Sequence, residues 1–222
     1  MPTHDLLSRE FSARPVWLTR IDGHAAWCNK TVMELAGIGP DTEDPPGGEF
    51  LRDERGELTG VLIDTAMEAV TPPPPSREDT RRHIMEGQRH ALKRGLTGVH
   101  EMGISKLQHH VFQEVSRDGA RRLRMNAYAE RDWFEEELIQ TAPTPVTAEA
   151  RYAVLGAKIY ADGALGSRGA ALNESYHDRP GHKGKLLTSQ KRLERLALES
   201  MERGWQLATH AIGDRAIHQV LN

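Results

Sequence analysis

The sequence holds a single cysteine, Cys28, among 222 residues. That excludes an internal disulfide framework and any zinc site built on several thiolates. Aromatic residues are scarce, at 5%, and no run approaches the roughly 20 apolar residues of a membrane-spanning helix. The first residues, MPTHDLLSREF, lack the apolar stretch of a signal peptide, so a cytoplasmic location is expected. Neither charge dominates. Lys plus Arg number 29 against 32 Asp plus Glu, a net charge of -3, which gives no electrostatic basis for a nucleic-acid or membrane partner. What is present has ordinary globular composition, 38% hydrophobic and 27% charged, and the one unusual class is the 11 histidines.

Two textures follow one another along the chain. Residues 1–75 read as mixed α+β: the apolar run Val16-Trp17-Leu18, a short helix capped by Asn29, and a hairpin in FLRDERGELTGVLI turning at Asp53-Glu54-Arg55-Gly56. The run Pro72 to Pro75 blocks helix and ladder alike and marks a boundary. From Ser76, a candidate N-cap, residues 76–222 alternate helices with short strands at Thr97 to His100, Leu123 to Tyr128, Val154 to Tyr160 and Trp205 to His210. That β-α-β-α order is the pattern of a parallel sheet with crossover helices.

In such folds functional groups collect at the carboxyl ends of strands. Here those ends carry His100-Glu101, Lys158 through Asp162, and Thr209-His210. Strand alternation in VLGAKIYAD sets Leu155, Ala157, Ile159 and Ala161 toward packed helices, and Lys158 and Asp162 toward the other face. A lysine drawn out of water needs compensation. An ion pair with Asp162 or another carboxylate, a Schiff base with a carbonyl substrate, and a carbamylated lysine acting as an anionic metal ligand all stay open. His210 on the next strand favours the last, because imidazole is the commonest metal ligand, although a lone histidine is also at home as a hydrogen-bonded core residue. The glycines at 163, 166 and 169 lack the spacing of a nucleotide-binding loop and fit a flexible active-site loop better. His109-His110 and Arg121-Arg122 read as solvated or helix-end charge, and Cys28 as packing.

The segments RPVWLTRIDGHAAWCN, GLTGVHEMG, AKIYADGALGSRGAAL and GWQLATHAIGDRAIHQVL together resemble the amidohydrolase superfamily. More narrowly, the chain resembles the amidohydrolase-3 family of metal-dependent hydrolases, which includes N-substituted formamide deformylases. The resemblance implies a (β/α)8 TIM barrel, present here in part as about strands two to five, with residues 1–75 as an insertion or lid segment following the first strand. It implies hydrolysis of an amide or other non-peptide C–N bond in a small molecule by metal-activated water, with one or two ions such as Zn2+. Lys158 matches the family's carbamylated lysine ligand and His210 a histidine ligand. The DGHAAW loop, with His24, is expected to touch substrate, and His100 and Asp162 are further candidates for the substrate pocket. The family's HxH ligand pair is absent from this sequence, and its acid/base aspartate is expected beyond Asn222, so no catalytic acid or base is assigned. Two other readings stand beside this one: a Schiff-base lyase or aldolase using Lys158, and a non-catalytic fragment that associates with a complementary chain through open barrel edges.

Overall fold

The computed structural model describes residues 2–143 and 151–222. In chain order its elements are α1 (Asp5–Glu10), β1 (Trp17–Thr19), β2 (Ala25–Cys28), α2 (Lys30–Leu35), β3 (Gly48–Arg52), β4 (Leu58–Asp64) and α3 (Arg77–Lys93). There follow β5 (Gly98–Ile104), α4 (Lys106–Arg117), β6 (Arg124–Glu130), α5 (Arg131–Glu136), β7 (Tyr152–Tyr160), α6 (Gln190–Arg203), β8 (Gln206–His210) and α7 (Asp214–Leu221). The described chain divides into two compact units, one of residues up to Pro73 with Tyr160–Ser189 and Ala211–Asn222, the other of Pro74–Ile159 with Gln190–His210. No helix among the described residues is long and apolar enough to cross a membrane.

The first unit is built on an antiparallel sheet in the order β1-β2-β4-β3. Its core gathers Cys28, Val32, Met33, Ile38, Phe50, Leu62 and Ala66. Asn29 is fully buried beside them. Its side-chain oxygen accepts from the backbone N–H of Val16 at 3.1 Å and of Val32 at 3.2 Å, and its amide donates to the carbonyls of Phe11 and Arg14 at 2.9 and 2.8 Å. The expected cap therefore also staples the segment before β1. The hairpin forms where its turn residues place it, with the Asp53 carboxylate accepting from the backbone of Arg55 and Glu57.

The second unit carries a four-stranded sheet in the order β5-β6-β7-β8, in which β5 with β6 and β6 with β7 pair in parallel. Ser76 caps α3 as expected, and Ser105 opens α4 with a capping box closed by Gln108. The buried Gln88 of α3 accepts from the backbone N–H of Arg122 and Leu123, fixing the entry to β6. Strand boundaries move by one to four residues, and one shift matters for the site. β5 runs on to Ile104, so His100 and Glu101 lie within the strand and not at its end. In β7 the expected parity holds from Ala157 on, where Ala157 and Ile159 are fully buried and Lys158 between them is half-buried, but not before it: Val154 and Gly156 are buried and Leu155 only partly so, at a register shift against β6. A Cβ at Gly156 would lie 1.7 Å from the Gln206 carbonyl oxygen; the missing side chain is what lets β8 approach there.

Candidate functional site

Register shows which side chains share a face of the second unit's sheet, because residues directly abreast in parallel strands project to the same side. His100 lies abreast of Asn126, and Lys158 abreast of Glu130. Asn126, Tyr128 and Glu130 have one parity along β6, so His100, Tyr128, Glu130 and Lys158 lie on one face. From β8, Gln206 accepts a 2.8 Å hydrogen bond from the Tyr128 hydroxyl, and His210 has the parity of Gln206. Four strands thus bring His100, Glu130, Lys158 and His210 to a common face. His100 stacks on Tyr128, with ring centroids 6.3 Å apart.

The electrostatics of that face favour neutral side chains. Partial burial pulls the Lys158 amine below the usual lysine range. Burial, with Asp132 adding repulsion, pushes the Glu130 carboxyl above the usual range. A lowered pKa makes the neutral amine, the nucleophilic form that adds a carbonyl compound or carbon dioxide, easier to reach than in a free lysine. Among the described residues no group of three or more His, Cys, Asp or Glu side chains is placed to hold a metal ion. Addition of carbon dioxide to Lys158 would supply an anionic oxygen donor on the face that carries His210, so the residues present fit part of a ligand set.

The remaining candidates lie in the first unit. The loop containing His24 is shaped by Asp22, whose carboxylate accepts from the His24 backbone N–H at 3.2 Å and from the Arg20 guanidinium at 2.7 Å. The Arg20 contact holds the Asp22 carboxyl below its usual range. The His24 ring makes a 2.8 Å hydrogen bond through Nδ1 to the Asp64 carboxylate, whose side chain is 3% exposed. Its edge meets Tyr160, with ring centroids 6.1 Å apart. Asp64 has φ 48°, a conformation costing a residue with a side chain about 1–3 kcal/mol. Desolvation pushes its carboxyl up despite the histidine. Glycines form its cradle: a Cβ at Gly163 or Gly169 would lie 2.4 or 2.0 Å from the Asp64 carboxylate. The glycine-rich run after Lys158 therefore packs on a carboxylate, a specific reason for two of its glycines.

Asp162 is fully buried. One carboxylate oxygen accepts from the backbone N–H groups of Ala171 and Gly213 at 2.8 and 2.7 Å, the other from that of Ile212 at 2.9 Å. It joins the glycine-rich run to the start of α7, which is a positioning role. The sequence reading did not single out Glu130 or Asp64. Each ends a strand, but only register or a contact 40 residues distant in sequence shows what it faces.

The amidohydrolase family model matches residues 1–222. Protein LONG AFTER FAR-RED 3 of Arabidopsis thaliana is 34% identical over 227 residues, spanning 96% of this chain and 39% of that protein. The N-substituted formamide deformylase of Arthrobacter pascens is 24% identical, over 100% of this chain and 42% of its own length. The crystal structure of an uncharacterized metal-dependent hydrolase from Pyrococcus horikoshii OT3 superposes with a TM-score of 0.72 at 26% identity, covering 100% of this chain and 44% of that one. The chain thus spans about two fifths of the length of these relatives.

Proposed function

The chain belongs to the amidohydrolase family, and from that premise we propose that it is the central part of a cytoplasmic metal-dependent hydrolase acting on an amide or other non-peptide C–N bond of a small molecule. In this reading β5 to β8 are four successive strands of a (β/α)8 barrel. Residues 76–222 are barrel and residues 1–75 an insertion carried by it. The observation that supports the proposal is the shared sheet face holding His210 and a half-buried Lys158, whose amine burial pulls below the usual lysine range.

Lys158 is assigned as the lysine that takes up carbon dioxide. The amine nitrogen bonds the carbon and releases a proton, leaving a carbamate oxygen as ligand. His210 is assigned as an imidazole ligand to the same divalent ion, taken to be zinc. Such an ion polarises a scissile carbonyl and acidifies water. The chain's own groups do the rest. Asp64 fixes the His24 ring through Nδ1, and His24 and His100 are assigned as substrate-facing groups. Asp162 acts through the three amides it binds, holding the glycine-rich run in place. The deformylase relative supports the choice of a C–N bond.

The test uses the polypeptide extended by its flanking coding sequence, assayed against N-substituted formamides and simple amides. Turnover should fall with a chelator and return with zinc. Lys158→Arg, which keeps the charge but cannot form the carbamate, should lose activity by at least about 100-fold. Chelator-resistant turnover, or full activity in Lys158→Arg, overturns the assignment.

A further inference from the structure

Arg121 has no part in the reading above, and its surroundings are unusual for a cation. The residue is 4% exposed. Its guanidinium carbon lies 5.1 Å from the centre of the Phe112 ring and 5.6 Å from that of Tyr152. Nε donates to the Arg151 carbonyl at 3.1 Å. Nη2 is buried and has no hydrogen-bond partner among the described residues. Among the described residues no carboxylate pairs with this side chain. An arginine cannot shed its proton to escape such a place, and stacking on two rings offsets only part of the lost hydration.

Arg121 lines a cleft of about 910 Å³ within the second unit, and three more arginines, Arg117, Arg122 and Arg151, line it too. Tyr152 and Trp205 give it aromatic wall, and no Asp or Glu is among its described lining residues. The C-terminal turn of α4 also borders it, through Ser116 and Arg117. The dipole there amounts to about half a negative charge, far less than four guanidinium groups bring. The volume suits a small organic ligand.

We propose that this cleft is a binding site for a small molecule bearing an oxyanion, a carboxylate or a phosphate, with the buried guanidinium of Arg121 as a fixed charge in its wall and Arg117, Arg122 and Arg151 as surrounding positive charge. The fork of Arg121 is already oriented by its two rings and by the Arg151 carbonyl, so the anion meets a preorganised positive charge. No metal takes part, so the site stands or falls separately from the hydrolase reading.

The test is calorimetric titration of the purified chain with inorganic phosphate and, separately, with benzoate, at constant ionic strength set by sodium chloride. Saturable one-to-one binding of at least one probe is expected, and the stronger of the two tells phosphate from carboxylate chemistry. Arg121→Lys, which loses the fork, should weaken that binding by about tenfold. Arg151→Gln and Arg122→Gln, at exposed positions, should each weaken it a few-fold, whereas Arg82→Gln on α3 should leave it unchanged. Should Arg121→Lys fail to fold, the two exposed variants decide. Absence of saturable binding by either probe overturns the proposal, as does binding indifferent to the Arg122 and Arg151 changes.

Discussion

At the scale of single residues, the informative side chains are those whose partners lie far away in sequence. His109 forms a 2.7 Å hydrogen bond through Nδ1 to the Tyr152 hydroxyl and packs on Trp133, with ring centroids 5.1 Å apart. Burial, then the charge of His110, lowers its pKa from the ordinary 6.5. Above that value the ring is neutral both folded and unfolded, and no stability depends on pH. As pH falls below it the unfolded chain takes up a proton that the folded chain resists, so stability falls. Urea midpoints measured from pH 7.5 to 5 should therefore decline, and His109→Gln should flatten that part of the decline. An unchanged slope in the variant would show that His109 is not the group responsible. The sequence alone suggested solvated or helix-end charge for His109-His110 and Arg121-Arg122; His110 and Arg122 are exposed as expected, whereas His109 and Arg121 are not, for one reason: α4 presents its Val111, Phe112 and Val115 face to the core, carrying His109 against Trp133 and Phe112 beneath Arg121. Lys158 was legible, by contrast, because two-residue alternation needs no knowledge of partners.

At the scale of elements, caps and turns were the most readable features, since their chemistry is confined to three or four residues. Ser76, Asn29 and the Asp53 turn act where local pattern places them, and the structure adds a cap at Ser105. Yet the caps differ in what depends on them. The Ser105 hydroxyl accepts one backbone N–H of α4, at 3.3 Å, and its loss in Ser105→Ala should cost about 1 kcal/mol. Asn29 is fully buried and satisfies two backbone donors and two backbone acceptors. Asn29→Ala would leave several of those groups buried and unpaired, at about 1–3 kcal/mol for each, for a total loss of about 3 kcal/mol or more. Chemical denaturation of the two variants distinguishes a stapling residue from a cap. Equal losses would mean that water replaces the Asn29 amide without penalty. The local pattern showed the cap at Asn29 and missed the staple, because Phe11 and Arg14 enter only through the fold.

At the scale of the whole molecule, the governing fact is that the chain spans about two fifths of the length of its relatives. The alternation of strands and helices was legible because apolar periodicity survives in any segment. Of the proposed metal ligands the sequence offers only Lys158 and His210, and among the described residues no group of three or more His, Cys, Asp or Glu side chains is placed to hold an ion. The same sheet places β5 and β8 at the two ends of its strand order. His100, Glu101 and Met102 of β5 are exposed, Met102 at 41%. A strand edge of this kind pairs readily with another chain. The isolated polypeptide should therefore associate with itself, eluting earlier from a sizing column as its concentration rises from about 1 to 100 μM, the range in which exposed edges and apolar surface drive association. Met102→Lys puts a charge on the edge strand and should shift the elution back toward the monomer. A sharp monomer peak at every concentration, or association untouched by the added charge, would show that β5 is not the surface through which copies meet.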